Sequence, residues 1–597
     1  MKSASRWAWV ICTALILGVA WWYYPAPQPH QSRVLQWDAA GYYLYLPAIF
    51  VHHDLRDLNF RHQLVRDYAP SGSGFDAAFP HPSGHMVLKY PAGLALQELP
   101  FFLVGHALAE PLGYASDGYS EPYQLAMKLA ALLVAVLGLW LVRRALLPRF
   151  GEWATAGTLL VLVLGTNYLN YTAGQGSLTH NWLFGWYAAL LLLTPAYYAR
   201  PTAGRAAAIG AIVGLMTLTR PTELLAALLP LLWGLQISGA GLREKLAFWQ
   251  RHAGHLLLAG LLGAAVLSIQ PLYWHYASGE WVVYSYQEQG FSWLKPHLFD
   301  GIFSFRSGWL IYSPLLLTAL VGFGPLRRQQ PAAFWPMLIF MGLFTYVAFA
   351  WDEWTYGGGL GQRAMVQTYA VLAWPLAAAL RWLLARPVWA ALYGVVAVLG
   401  CAYGFWLTQM ALPGGLLAAG DMTRTYLWRI LFRYQVPPET QLLLDSNSEF
   451  TGTPRNLRVL WQQGFEQEPA ATCGALALAG SCSLQLSAAH PSSPEYRLAV
   501  RPGSFTWLRA SALAGASARE WEVGRMTQYV VRFWDGPTIV KERTVRLQRA
   551  LDANWPRTLS FTIRPPQQPF DHVSIVFLYY GTTANMLLDN AKLEAFQ

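Results

Sequence analysis

The polar residues able to carry chemistry lie in a few short strings between long apolar runs. Asp38 lies in WDAAGYYLYLPAIF, directly after the first apolar run. The string FPHPSGHMVLKYPAG supplies His81, His85, Lys89 and Tyr90. A carboxylate can act as a general base, and Lys and Arg side chains can bind phosphate oxygens. Together, such groups would suit an enzyme that receives a phosphorylated substrate.

Two later strings add further polar groups, although each residue alone has a simpler interpretation. An acidic residue beside a membrane span is usually only solvated, an Arg at a span end usually reaches lipid headgroups, and a His at a span start is more often structural. Only their convergence on one side of a membrane would make them a site. The strings NYLNYTAGQGSLTHNW and WDEWTYGGGLGQRAM contain Asn167, Asn170, Gln175, His180, Asp352, Glu353, Gln362 and Arg363.

The composition excludes an ordinary soluble enzyme. Of the 597 residues, 54% are apolar and 12% are charged, whereas soluble domains carry roughly 25% charged residues. The net charge of +10 comes from basic residues that punctuate apolar runs, rather than forming the basic stripe of a nucleic-acid-binding face. The sequence contains no GxxxxGK[ST], GxSxG, HExxH or CxxC motif. These features favour a multi-pass membrane protein with aromatic residues at its interfaces.

Eleven apolar runs are long enough to cross roughly 30 Å of hydrocarbon. The first, Trp7 to Tyr24, is predicted to be an uncleaved span, because no small-x-small cleavage site follows Ala20 and an aromatic cluster ends the run. The other ten begin near residues 123, 153, 180, 206, 222, 253, 309, 332, 364 and 387.

The segment 92–109 decides the topology. As a twelfth span it would place Arg143, Arg144 and Arg149 outside, against the tendency of cytoplasmic loops to hold Lys and Arg. As an interfacial helix on the outer surface, it leaves all the basic clusters between spans in the cytoplasm. We therefore predict a cytoplasmic N-terminus, an outer loop at 25–122 and an outer location for everything after about residue 411. All four polar strings then share the outer side.

Residues 425–597 change composition after a linker at 411–424. Polar, β-prone strips alternate with Gly, Pro, Ser and Asn, which predicts a separate β-sandwich on the periplasmic side. An oxidising compartment would allow a disulfide between Cys473 and Cys482. Cys12 and Cys401 fall inside apolar runs and are interpreted as core residues.

Residues 1–410 resemble the GT-C-fold glycosyltransferases that use polyprenyl-phosphate sugars, the class of the lipid A aminoarabinose transferase and the protein O-mannosyltransferases. The resemblance rests on Asp38 soon after the first span, on KYPAG before the interfacial helix, which resembles the KPPL string of the family, and on the arrangement of spans. The strings FSFRSGWLIYSPLLL and WDEWTYGGGLGQR resemble a bacterial subgroup with this fold. The tail, closing with LLDNAKLEAF, resembles jelly-roll carbohydrate-binding modules.

The resemblance implies that Asp38 is the catalytic carboxylate and that Lys89 binds the donor phosphate. Tyr90 belongs to the same string, and Arg363 is added as a phosphate ligand from its own loop. Many relatives carry a paired acidic motif beside the first Asp, whereas Ala39 and Ala40 follow it here. No cofactor is required by the sequence, which leaves open whether a divalent cation is bound. Further pocket candidates are His85, His180, Gln175, Asp352 and Glu353.

The favoured interpretation is a glycosyltransferase of the bacterial inner membrane. It would move a sugar from a polyprenyl-phosphate donor to a glycan, lipid or protein acceptor of the cell envelope on the periplasmic face. Two alternatives remain open at this stage. A flippase for lipid-linked sugars would have similar spans without the chemistry, and a non-catalytic scaffold in envelope assembly would bind through the β-domain.

Overall fold

The computed structural model describes residues 3–24, 32–71, 77–468, 471–501, 503–519, 523–551, 556–581 and 584–597. The chain forms two compact units, unit 1 (Met1–Gly420) and unit 2 (Asp421–Gln597). The boundary between them falls inside the predicted linker at 411–424.

The described part of unit 1 is helical, apart from one short antiparallel hairpin of strands β1 (Ala78–Pro80) and β2 (Met86–Leu88). Three 3-10 helices (Glu110–Leu112, Pro221–Ala227 and Arg363–Thr368) and one π-helix (Asn170–Gly174) interrupt the pattern. The α-helices are α1 (Ala4–Trp22), α2 (Trp37–Tyr43), α3 (Tyr45–Phe50), α4 (Arg61–Tyr68), α5 (Gly93–Ala109), α6 (Glu121–Phe150), α7 (Glu152–Leu164), α8 (Thr179–Ala199), α9 (Ala203–Thr219), α10 (Leu228–Leu232), α11 (Gly239–Arg251), α12 (Ala253–Leu267), α13 (Ile269–Ser278), α14 (Leu298–Phe303), α15 (Trp309–Tyr312), α16 (Leu316–Val321), α17 (Phe323–Gln329), α18 (Pro331–Ala350), α19 (Tyr369–Leu384) and α20 (Pro387–Ala411).

Among the described residues, five helical segments are long and apolar enough to cross a membrane. They coincide with five of the predicted spans. The other predicted spans correspond to shorter, less apolar or interrupted helices, so the count of eleven stays a prediction. The five segments are Ala4–Trp22, Glu121–Phe150, Ala253–Ser278, Pro331–Ala350 and Pro387–Ala411.

The sequence predicts a single span from about residue 309, but this apolar run does not form one continuous helix. It is divided into α15, α16 and α17. Ser313 leaves the helical conformation, with φ −140° and ψ 58°, because Pro314 follows it and disfavours a helical residue at the preceding position. The Ser313 hydroxyl is thereby free to accept a hydrogen bond from the backbone N–H of Asn167 at 3.2 Å.

Helix α5, the predicted interfacial helix, contacts the ends of two longer helices. Near its start, Gln97 donates to the hydroxyl of Thr219, the last residue of α9, at 2.9 Å. Near its end, the ring of His106 lies 2.5 Å from the hydroxyl of Tyr123 in the first turn of α6. The predicted topology puts both of these helix ends on the outer side. A helix that joins them would lie along that surface, as expected for an interfacial helix.

Helix α19 occupies the centre of unit 1. Its residues from Tyr369 to Leu380 are buried without interruption, because neighbouring helices, among them α7, α16 and α17, cover every side of it. A helix that is apolar on all sides is one that is buried on all sides. This central position holds the segment just before α19, which carries Arg363.

Unit 2 is built from two antiparallel sheets that share one apolar core. The order β10-β7-β12-β5-β4 forms one sheet, with β3 also pairing to β12, and the order β6-β11-β8-β9 forms the other. Helix α21 (Arg424–Ile430) and 3-10 helices at Pro438–Asp445, Val523–Arg525 and Leu547–Ala550 complete the unit. The strands are β3 (Arg458–Gln463), β4 (Ala471–Cys473), β5 (Cys482–Leu486), β6 (Tyr496–Ala499), β7 (Trp507–Ala516), β8 (Gln528–Asp535), β9 (Thr538–Arg546), β10 (Arg557–Ile563), β11 (His572–Leu578) and β12 (Met586–Phe596).

Two local features tie the edge of the larger sheet together. A disulfide joins Cys473 to Cys482, which are directly opposed on β4 and β5. Asp589 on the last strand is buried, and its carboxylate accepts from the Ser483 hydroxyl at 2.7 Å and from the Ala479 amide at 3.0 Å. The acidic residue of LLDNAK therefore holds the turn between β4 and β5.

The predicted topology is testable on both sides of α6. A reporter fused after Arg149 should be active in the cytoplasm, and one fused after Ala115 should be active in the periplasm, since the arginine cluster at the end of α6 should stay inside. Paired alkaline phosphatase and fluorescent-protein fusions would measure this. A cytoplasmic reporter at Ala115 would mean that α5 spans the membrane.

Unit 2 should fold alone. A fragment from Asp421 to Gln597, exported to the periplasm, should unfold cooperatively and contain no free thiol. Replacing both Cys473 and Cys482 by Ser should lower its free energy of unfolding by about 2–3 kcal/mol, because the unfolded chain gains entropy without the cross-link. Denaturant unfolding with and without a reductant measures the difference. Free thiols at both positions in the exported fragment would contradict the prediction.

Candidate functional site

Asp38 lies in the first turn of α2, and its two carboxylate oxygens have different partners. One oxygen accepts a hydrogen bond from the Tyr90 hydroxyl at 2.8 Å. The other accepts from a guanidinium nitrogen of Arg363 at 2.6 Å. The Asp38 side chain is 30% exposed, so the carboxylate is held in place and still reachable from solvent.

The KYPAG string is positioned by the hairpin before it and the loop after α13. The Lys89 amide donates to the Ala77 carbonyl at 2.9 Å, which continues the β1–β2 pairing by one residue. The Lys89 carbonyl accepts from the Ser285 hydroxyl at 2.7 Å. The ammonium of Lys89 lies 5.8 Å from the ring centres of both Tyr90 and Tyr286. These contacts direct the Lys89 and Tyr90 side chains towards Asp38.

Arg363 is positioned by the glycine-rich loop before it. Gly358 and Gly361 have φ of +85° and +62°, a region in which other residues are strained. Two side chains from other parts of unit 1 hold the loop backbone. Asn167 donates to the Leu360 carbonyl at 2.8 Å, and Ser307 donates to the Gly361 carbonyl at 2.9 Å.

Arg220 belongs to the same site, although it lies in none of the four polar strings of the sequence. It follows α9, its guanidinium lies 5.6 Å from the ring centre of Tyr356, and one of its nitrogens lies 3.3 Å from Nδ1 of His180. Its position in the predicted topology could have identified it as a site candidate. Arg220 stands between the spans near 206 and 222 on the outer side, away from the cytoplasmic arginine clusters.

These groups surround one cavity of about 360 Å³, which we call the cation cavity. Three cations face it with the Asp38 carboxylate and a wall of tyrosines. Cavities of this size with a few polar groups are typical of small-ligand sites. The residues that define it are Asp38, Lys89, Arg220, Tyr286, Tyr356 and Arg363.

The surrounding charges control the protonation of Asp38. Burial alone would raise the pKa of Asp38, but the charge of Arg363, the Tyr90 hydrogen bond and the charges of Arg220 and Lys89 outweigh it and lower that pKa. Burial and the neighbouring carboxylate raise the pKa of Tyr90. At neutral pH, Asp38 is therefore ionised and Tyr90 is a hydroxyl donor.

A second cavity of about 470 Å³ adjoins the cation cavity. The two cavities share Asp38, Lys89, Tyr90, Tyr286 and Gln289. The second cavity extends between α2, the hairpin and the loop at 285–289. Asp38 therefore stands at the junction of two separate spaces.

The structure brings six of the predicted site residues to the cation cavity. Besides Asp38, Lys89, Tyr90 and Arg363, both His180 and Glu353 line it. His180 is buried, and its Nδ1 lies 2.8 Å from the side-chain oxygen of Gln367.

Three predicted pocket residues lie elsewhere, so their assignment to the site is corrected. The Nδ1 of His85 pairs with the Asp57 carboxylate at 2.6 Å, which holds it in the outer loop. Asp352 accepts from the Ser292 hydroxyl at 2.6 Å and from the Gly290 amide at 3.1 Å, so it fixes a turn. Gln175 is exposed at the end of the π-helix. For His85 and Asp352, a local partner rather than the cavity sets the orientation of the side chain.

The carboxylate of Asp38 is bonded to a cation and a hydroxyl, which are partners of an anion rather than fellow ligands of a metal. Among the described residues, no group of three or more His, Cys, Asp and Glu side chains has the spacing to hold a metal ion. Lys89, Arg220 and Arg363, the cations that line the cation cavity, are groups that can bind an anion.

No protein-family model matches the chain, and no curated protein matches it by sequence. Solved structures of GT-C glycosyltransferases are similar to it. The apo oligosaccharyltransferase of Archaeoglobus fulgidus matches at 13% identity and a TM-score of 0.40, over 75% of this chain and 59% of its own length. Arabinosyltransferase EmbB from Mycobacterium smegmatis matches at 13% identity and a TM-score of 0.38, over 99% of this chain and 65% of its own length. ArnT from Cupriavidus metallidurans, bound to undecaprenyl phosphate, matches at 15% identity and a TM-score of 0.38, over 67% of this chain and 69% of its own length. The chain thus spans less than two thirds of the first two relatives, and identities this low transfer no substrate or residue role to it.

Proposed function

We propose that this chain is a membrane glycosyltransferase that moves a sugar from a polyprenyl-phosphate donor to a hydroxyl of an envelope glycan, lipid or protein on the periplasmic face. The observation that carries the proposal is the placement of one ionised carboxylate, Asp38, at the edge of a cavity that also holds Lys89, Arg220 and Arg363. A base and a set of phosphate ligands are the two things that this transfer requires. The lipid-linked donor is the donor class that the sequence resemblance implies.

The cations of the cavity support binding of the donor phosphate. Arg220 and Arg363 present planar guanidinium groups, which match pairs of phosphate oxygens. Lys89 adds a compact charge beside them. Cations that face one half-buried space repel one another, so an anion between them relieves that repulsion as well as forming hydrogen bonds. A phosphodiester linking sugar and lipid has that charge.

The transfer step follows from the position of Asp38. The acceptor hydroxyl oxygen attacks the anomeric carbon of the donor sugar, and a new glycosidic bond forms there. The bond between that carbon and the phosphate oxygen breaks, and its electrons leave with polyprenyl phosphate. The hydroxyl proton passes to Asp38. Arg220, Arg363 and Lys89 stabilise the negative charge that grows on the leaving phosphate.

Arg363 connects donor binding to the strength of the base. Without donor, its guanidinium pairs with Asp38, and a carboxylate paired in this way is a weak base. When a phosphate occupies the cavity, Arg363 divides its hydrogen bonds between two anions. The carboxylate then becomes more basic at the moment when the sugar is in place.

The first test replaces Asp38. Asp38→Asn keeps the size of the side chain and its hydrogen bond to Tyr90 but removes the base, so transfer should fall by about two to four orders of magnitude. The measurement is release of polyprenyl phosphate by purified protein in liposomes that contain donor and acceptor. Lys89→Ala should instead raise the donor concentration needed for half-maximal rate, since it removes a phosphate ligand.

The matched control is Asp57→Asn, which changes the same chemical group in the same outer loop but lines neither cavity. It should leave transfer unchanged. Folded wild-type protein that binds donor yet releases no polyprenyl phosphate with any acceptor would contradict the enzyme and favour the flippase. A flippase would still move lipid-linked sugar across the bilayer in the Asp38→Asn variant.

The second test uses pH. Because Arg363 lowers the pKa of Asp38, Arg363→Gln should raise it, and the carboxylate should become protonated at a higher pH. The acid limb of the kcat/KM profile should therefore move to higher pH, in addition to any overall loss of rate. The control is Arg66→Gln, an exposed arginine in α4. An acid limb that stays in place in Arg363→Gln would argue against Asp38 as the base.

A further inference from the structure

We infer that the second cavity is the acceptor site, and that the acceptor group it takes is an uncharged saccharide presenting a hydroxyl to Asp38. The inference rests on the proposed function, since it names the second substrate of the same reaction. Its basis is the arrangement of two cavities around one carboxylate, together with the different lining of each.

The geometry separates the two substrates. Asp38, Lys89 and Tyr90 form the wall between the cavities. A base that serves a displacement reaction must reach the acceptor hydroxyl while the leaving phosphate lies on the other side of the anomeric carbon. A hydroxyl in the second cavity can reach Asp38 without entering the space lined by Arg220 and Arg363, neither of which lines the second cavity.

The charges of the second cavity disfavour an anionic acceptor. Among the described residues that line it, Lys89 is the one cation, whereas Asp38 and Glu288 contribute two carboxylates. The cation cavity instead has Lys89, Arg220 and Arg363 beside Asp38 and Glu353. A phosphate or carboxylate would therefore be attracted to the cation cavity, whereas a neutral acceptor has no electrostatic reason to leave the second one.

The remaining lining suits a sugar ring. Trp37, next to Asp38, is 59% exposed and offers an open aromatic face, and the partly exposed Phe79 adds a second ring. Gln287 and Gln289 offer amide groups, which both donate and accept hydrogen bonds. A saccharide has apolar C–H faces and hydroxyls at its edges, so aromatic faces with amide and carboxylate groups complement it.

The loop at 285–289 lines the second cavity and also contacts Lys89 and Tyr90, two residues of the wall between the cavities. The Ser285 hydroxyl donates to the Lys89 carbonyl at 2.7 Å, and the Tyr286 ring lies 6.3 Å from the Tyr90 ring in an edge-on contact. The side chains of Gln287, Glu288 and Gln289 follow directly. An acceptor bound to these side chains is thus held by the same loop that orients Lys89 and Tyr90.

The test compares one variant on each side of Asp38 in the full-length protein in liposomes. Trp37→Ala should raise the acceptor KM for a neutral oligosaccharide about fivefold to tenfold, with donor binding unchanged. Arg220→Gln should weaken donor binding, with the acceptor KM unchanged. The matched control is Trp153→Ala, because Trp153 is 56% exposed and lines neither cavity.

A second variant keeps the test decisive if Trp37→Ala misfolds. Glu288→Gln removes one carboxylate from an exposed position of the second cavity. It should improve use of a phosphorylated oligosaccharide relative to its neutral counterpart, while the wild type prefers the neutral one.

Each outcome separates this inference from the proposed function. Donor hydrolysis in the wild type without transfer to any neutral saccharide would overturn the acceptor assignment and leave the transferase chemistry standing. So would a preference of the wild type for the phosphorylated acceptor, or a loss of donor binding in Trp37→Ala. A wild type that cleaves no donor at all would overturn both.

Discussion

The ion pair between Asp38 and Arg363 is the contact on which the rest of the site depends. It joins residues separated by 325 positions in the chain, and it holds two charges in a half-buried place. Charges in such surroundings are stable only when their hydrogen bonds are satisfied. The second carboxylate oxygen is accordingly bonded to Tyr90. A hairpin, a glycine-rich loop and the buried helix α19 are arranged so that this pair can form.

Irregular backbone in unit 1 gathers around this pair, and its polar groups satisfy one another. At the break after α15, the Ser313 hydroxyl accepts a hydrogen bond from the backbone amide of Asn167. The side-chain amide of Asn167 in turn donates to the Leu360 carbonyl in the glycine-rich loop. The Asn167 side-chain oxygen also accepts from Tyr369, at the start of α19. In a membrane protein, non-helical backbone is tolerated where it is buried in protein or lines a cavity. Here the break at Ser313 and the glycine-rich loop are accommodated in this way, and their hydrogen bonds hold the segment that carries Arg363.

The division of space around Asp38 gives the proposed reaction its direction. Arg220 and Arg363 are confined to one side of the carboxylate, and the aromatic faces of Trp37 and Phe79 are confined to the other. Electrostatic attraction would therefore sort an anionic donor from a neutral acceptor before either is bound tightly. Because Arg363 pairs with Asp38 and also lines the cation cavity, an anion in that cavity would, in the proposed mechanism, change the basicity of Asp38.

The sequence by itself determined the broad architecture and the chemical groups of the site. Long apolar runs dictate helices in unit 1, and alternating polar and apolar strips dictate strands in unit 2, because both patterns are local. Asp38, Lys89, Tyr90 and Arg363 could be selected because they lie in polar strings that the predicted topology puts in outer loops, and because the family resemblance implies roles for Asp38 and Lys89. Only the tertiary structure decided which of the loop residues meet. It gave His85 and Asp352 local partners, brought Arg220 to the carboxylate and divided the run at Ser313. Those outcomes depend on contacts between distant segments and on the register of each loop, which no local pattern specifies.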